Sequence, residues 1–142
     1  MIVVDAGVWV RALVDGGLSG DACRQALSDD LEWAAPAHAP IEVLRTIRRY
    51  EAAGLITTAQ ADAFASAVRE VEVQYTGPET WLLAMIWDLR HNVSPYDAPY
   101  VALAQRYGVP LVTLDERIGR AATVAGIDVV IPTPAGGEQR SQ

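Results

Sequence analysis

Short apolar runs alternate along this chain with stretches whose apolar residues recur at helical spacing. Ile2-Val3-Val4 is a β-branched run that stops at Asp5, which predicts a buried strand. Gly7 to Val14 predicts a short helix or turn ended by Asp15-Gly16-Gly17, and Ser19 stands where it could cap a helix reaching about Asp30. Trp33-Ala34-Ala35 is a weaker strand, closed by Pro36. Ile41, Leu44 and Ile47 recur at helical spacing between about Ala39 and Ala53, with Gly54 as the stop. Thr57 or Thr58 caps the next helix, whose Ala61, Ala65 and Val68 form one face. Val71 to Tyr75 alternates as a strand does, and Gly77-Pro78 breaks the chain. Trp81, Leu82, Met85, Ile86 and Leu89 make an amphipathic helix. Another begins at Ser94-Pro95 and ends at Gly108. Pro110 to Leu114 is a second buried strand, Glu116 to Ala125 a helix stopped by Gly126, and Val129-Val130-Ile131 a last strand.

Strands separated by helices predict an α/β fold with a short, mainly parallel sheet covered on both faces. Crossovers in such sheets are right-handed, so the C-terminal strand ends share one edge, and ligands bind outside that edge. Residues 1–132 read as one domain without internal repeats. The polar tail 133–142, with Gly136-Gly137, is expected to be disordered.

Composition narrows the chemistry. A chain of 142 residues, 51% of them apolar, can bury a sizeable core. Cys23 is the only cysteine, which excludes a disulfide framework or a thiolate metal site and fits a reducing, cytoplasmic setting. No basic region precedes the first apolar run, so no secretory signal is expected, and the apolar stretch Trp81 to Trp87 is too short to span a bilayer. The net charge of −7 argues against a broad basic nucleic-acid surface and fits a cationic partner or a bound metal. There is no lysine, which removes Walker A phosphate loops and Schiff-base enzymes.

Four acids stand at the joints between apolar runs and polar turns: Asp5, Glu42, Asp97 and Asp115. Only a fold could gather residues so far apart. Together they would repel, and a hard divalent cation with oxygen ligands is the simplest group to hold them. Each also has a plain local explanation. Asp5 and Asp115 could cap the helices that follow them. Ser94-x-x-Asp97 and Thr113-x-x-Glu116 resemble capping boxes, and Glu42 could be a first-turn acid favoured by the helix dipole.

The segments MIVVDAGVWV, IEVLRTIRR and SPYDAPYVALAQRYGVPLVTLDERI together resemble the PIN domain, and within it the VapC-type toxins of toxin–antitoxin pairs. The likeness covers nearly the whole chain. It implies a parallel α/β/α sandwich and a Mg²⁺- or Mn²⁺-dependent endoribonuclease whose metal ligands are Asp5, Glu42, Asp97 and Asp115. It also implies a cognate VapB-type antitoxin that blocks the acidic pocket, and a homodimer. Asp5 and Asp97 would hold the principal metal; Glu42 and Asp115 would bind through water or complete a second site. Three departures bear on the site. A further acid is usual soon after the VTLD aspartate, and here only the adjacent Glu116 stands near, which is not taken as a ligand. Gly7 replaces the small hydroxyl residue usual two positions after the first aspartate. Pro99 replaces the usual alanine in the YDAxY run and puts the pose of Asp97 in question.

Other candidates are weaker. Arg45 and Arg49 fall on the side of Glu42 and could receive RNA phosphates, or form a solvated face. Thr113 could hydrogen-bond a carboxylate or the attacking water, or simply satisfy backbone. The four tryptophans read mainly as core or interface, Cys23 as packing, and His38 and His91 as surface or capping residues. A non-catalytic PIN-like module that binds RNA or protein is the competing reading, and it would predict a broken acidic set. Phosphatase or phosphotransfer chemistry would want a second aspartate at position 7 or a lysine, and neither is present.

Overall fold

A computed structural model describes residues 1–135; residues 136–142, most of the polar tail, lie outside the described residues. Among the described residues the chain forms β1 (Ile2–Val4), α1 (Ala6–Val14), α2 (Leu18–Ser28), β2 (Trp33–Pro36), α3 (Ala39–Ala52), α4 (Thr58–Glu70), β3 (Val73–Thr76), α5 (Thr80–Asp88), α6 (Ala98–Tyr107), β4 (Leu111–Val112), α7 (Glu116–Val124) and β5 (Val129–Val130). The strands pair in parallel in the order β3-β2-β1-β4-β5. Each parallel pairing needs a crossover, and the helices supply it. α1 to α4 pack among themselves as one layer, while α5, α6 and α7 form the other. This is the α/β/α sandwich that the sequence predicts.

The centre of the molecule is α6. Every residue from Ala98 to Ala104 is buried, and the helix lies against β1, β2 and β4. Tyr100, Val101, Leu103 and Ala104 join the main core, while Ala98 and Ala102 share a helical stripe with Arg106, whose guanidinium lies over the Trp81 ring of α5. Gly108 ends it with φ +64°, a conformation that costs a side-chain-bearing residue. On the opposite layer α1 and α2 are joined by a tight turn. A Cβ on Gly20 would lie 1.7 Å from the Asp15 carbonyl oxygen, so glycine is required for that approach.

Local signals placed the elements to within a few residues. Thr57 caps α4 in a full capping box with Gln60. Ser19 does not cap α2; Gly17 holds that position, and its N–H donates to the Asp15 carboxylate at 2.7 Å. No helix among the described residues is long and apolar enough to cross a membrane.

Candidate active site

The strand order reverses between β1 and β4, and the crevice at that switch is where open α/β sheets bind ligands. Asp5 follows β1 directly, and Thr113 and Asp115 follow β4. Thr113 is fully buried, and its hydroxyl joins the two acids: Oγ1 donates to Asp5 Oδ2 at 2.7 Å and accepts from the Asp115 N–H at 3.0 Å. Asp5 occupies the N-cap position of α1 without a full side-chain cap bond; the Gly7 N–H is only a minor influence on its carboxylate, whose side-chain partner is Thr113. Asp115 does cap α7, its Oδ1 accepting from the N–H groups of Arg117 and Ile118 at 2.8 and 3.3 Å.

Glu42 comes from the first turn of α3, after β2. Two side chains hold it. His38 Nε2 lies 2.9 Å from Glu42 Oε1, and the Tyr100 hydroxyl donates to the same oxygen at 3.2 Å. Sequence reasoning passed over both. His38 does occupy the N-cap position of α3, but its ring makes no cap bond; it is half-buried against the acidic site. The signal available was the His38-x-x-x-Glu42 spacing, one helical turn. Tyr100 stood inside the YDAPYVALA run with nothing local to mark its hydroxyl.

Asp97 stands at the start of α6, in a turn already helical in φ and ψ. Ser94 anchors the turn: its carbonyl accepts from the N–H groups of Asp97 and Ala98, and its hydroxyl accepts from Asp97 N–H at 3.2 Å. Pro99 falls within the first helical turn, where a missing N–H leaves little unsatisfied, so it does not disturb the pose of Asp97.

The four acids line a single cleft of about 450 Å³, with Gly7, Arg11, Thr46, Arg49 and Tyr50 among the other walls. Burial pushes the Asp5 carboxyl up to about 6, and the neighbouring Glu42 and Asp97 add to it against the Thr113 hydroxyl. Asp97 is also raised, first by burial, then by Asp115 and Glu42. His38 is raised in turn, chiefly by its bond to Glu42. Of the two arginines of α3, Arg49 lies in the cleft wall and Arg45 does not line it. With α3 turning about 100° per residue, Thr46, Arg49 and Tyr50 stand at about 40°, −20° and 80° from Glu42, and Arg45 at about −60°, beyond the wall. Arg11 of α1 also lines the cleft.

An all-oxygen donor set of this kind suits Mg²⁺ or Mn²⁺. Among the described residues, no three His, Cys, Asp or Glu side chains already converge as ligands of one ion. In three of the four acids a protein donor already holds a carboxylate oxygen: Thr113 on Asp5, His38 and Tyr100 on Glu42, and the α7 N-terminus on Asp115. Protein donors therefore meet part of the repulsion that the sequence assigned to a cation alone. Each carboxylate keeps a second oxygen to offer, and the donor set fits the metal by chemistry and shared location.

This fold with this acidic crevice defines a class. The chain belongs to the PIN domain family, whose model, described as "PIN domain", matches residues 2–124. Among curated relatives, Ribonuclease VapC3 of Mycobacterium tuberculosis is 38% identical over 120 residues, covering 84% of this chain and 86% of that protein. Two solved structures share the fold. Mycobacterium tuberculosis VapC20, titled a sarcin-ricin loop cleaving toxin, superposes with a TM-score of 0.66 at 18% identity, covering 85% of this chain and 95% of that one. A toxin–antitoxin complex from Klebsiella pneumoniae gives 0.68 at 19% identity, covering 94% and 99%.

Proposed function

We propose that this protein is a Mg²⁺- or Mn²⁺-dependent endoribonuclease and the toxin of a type II toxin–antitoxin pair. The observation that carries this reading is the meeting of Asp5, Glu42, Asp97 and Asp115 in one cleft at the switch point of the sheet. The VapC ribonuclease relatives support the reaction class. Asp5 and Asp97 would be the principal ligands, and Glu42 and Asp115 would act through water or at a second site. A divalent cation bound there supplies an activated water and charge neutralisation for in-line cleavage of a phosphodiester. The chain's own groups do the rest. Thr113 orients the Asp5 carboxylate, and the guanidinium groups of Arg49 and Arg11 give the cleft wall two cations for RNA phosphates.

The acidic balance and the acidic cleft favour a VapB-type antitoxin whose inhibitory segment is cationic, and a toxin–antitoxin complex occurs among the structural neighbours. Leu83 and Trp87 of α5, 53% and 66% exposed, offer an apolar face for the homodimer. Buried Cys23 is consistent with a reducing cytoplasmic setting. The test is RNA cleavage with Mg²⁺ by the wild type and by Asp5→Asn. Cleavage by the wild type alone, abolished by chelation, is expected; equal cleavage by both would remove the catalytic assignment and return the protein to a binding module.

A further inference from the structure

His38 sits where two parts of the site meet. Its Nε2 is 2.9 Å from Glu42 Oε1 and 2.9 Å from the carbonyl oxygen of Tyr96, the residue before Asp97. Both neighbours are acceptors, so Nε2 carries a proton whatever the charge of the ring. The ring itself is packed edge-on against Tyr96 and Tyr100, with centroids 6.1 and 5.8 Å away. Tyr100 sends its hydroxyl to the same Glu42 oxygen at 3.2 Å. Both donors thus fall on Oε1, which leaves Oε2 as the oxygen for a cation. One N–H therefore ties a carboxylate at the start of α3 to the peptide beside a carboxylate at the start of α6. Left to itself, a half-exposed glutamate in a first helical turn would sample several rotamers.

We propose that His38 is a positioning residue of the acidic site, whose Nε2–H fixes the Glu42 carboxylate and the Tyr96–Asp97 peptide in one geometry. This rests on the metal-dependent reading above. Donors behind metal-binding carboxylates act in this way in general, and losing one costs about 10- to 100-fold in metal affinity or activity. A purely structural staple between α3 and the Ser94–Asp97 turn would behave differently: its loss would lower the melting temperature and leave the affinity of the folded protein alone.

The experiment measures Mn²⁺ affinity by calorimetric titration, and melting temperature, for the wild type, Asp5→Asn, His38→Ala, His38→Gln and His38→Met. Glutamine can place an amide N–H near the position of Nε2; methionine matches its length with no donor. His38→Met and His38→Ala are expected to bind Mn²⁺ about 10-fold more weakly or worse, and His38→Gln within about threefold of the wild type. Asp5→Asn tests the parent reading and should lose most of the binding. Equal affinity in His38→Met and the wild type overturns the positioning role. So does equal weakening in His38→Met and His38→Gln, which would make bulk the cause. The Gln and Met pair decides the matter even if His38→Ala fails to fold. Absence of Mn²⁺ binding by the wild type overturns the metal reading itself, and this inference with it.

Discussion

The Thr113 hydroxyl donates to the Asp5 carboxylate at 2.7 Å, across a sequence separation of 108 residues and inside the core. That bond joins the ends of β1 and β4, the two strands that flank the switch point. Thr113→Val keeps the shape and removes the donor, leaving a buried carboxylate short of a partner. The expected loss is about 1–3 kcal/mol of stability, read by denaturant unfolding, with a clear fall in RNA cleavage. Thr113→Ser keeps the hydroxyl and should retain most of both. Equal damage from the two substitutions would place the importance in packing.

Asp5 gives the protein a pH signature. Its carboxyl sits at about 6 against an ordinary value of 3.8, because burial and neighbouring acids penalise the ionised form. The folded state thus binds the proton more tightly than the unfolded one. Ionised Asp5 weakens the fold above pH 6, and the penalty is relieved as pH falls toward 4. The shift corresponds to an effect on the order of 3 kcal/mol. In the presence of chelator, the wild type should gain stability relative to Asp5→Asn as pH is lowered from 7 to 5. Added Mg²⁺, which favours the ionised form, should stabilise the wild type more at pH 7 than at pH 5. Parallel stability curves for the two proteins would refute the assignment.

The two arginines of α3 should behave differently. Arg49 lines the cleft and Arg45 does not. Arg49→Ala is expected to raise KM for RNA several-fold and to flatten the salt dependence of binding, with kcat less affected. Arg45→Ala should stay close to the wild type. Filter binding across a salt series measures both, and a larger loss at Arg45 would relocate the RNA path.

Gly7 lines the cleft, and a Cβ added there meets nothing within 4 Å. Gly7→Ser therefore fits without moving its neighbours. It supplies the hydroxyl that the family resemblance leads one to expect, and it removes a flexible residue from the first turn of α1. The melting temperature should hold or rise by about 1–3 °C, and cleavage should increase. A drop in cleavage at unchanged stability would mean that the open space at Gly7 is itself used by substrate.

The order of strands and helices was legible in the chain because its signals are local. Ile2-Val3-Val4 and Leu111-Val112 are apolar runs bounded by turns, the Thr57 and Gln60 box starts α4, and Gly108 and Gly126 end α6 and α7 with positive φ. The four acids stand at joints that periodicity marks out, but local capping explained each of them equally well, and it was the family resemblance that grouped them as one site. Other features waited on the tertiary structure. Capping patterns did not tell which acid serves its helix: Asp115 does and Asp5 does not. Nor did helical spacing tell that Arg49 faces the cleft while Arg45 passes it, because that depends on where the wall of a neighbouring layer begins. Of the contacts around Glu42, only the His38 pair, one helical turn away, was within reach of the sequence. Tyr100 and the Tyr96 carbonyl, 58 residues from Glu42 and from His38 respectively, come within bonding distance only because β2 and the start of α6 share one sheet edge. Strand order decides that, and strand order is fixed by packing among all the elements at once.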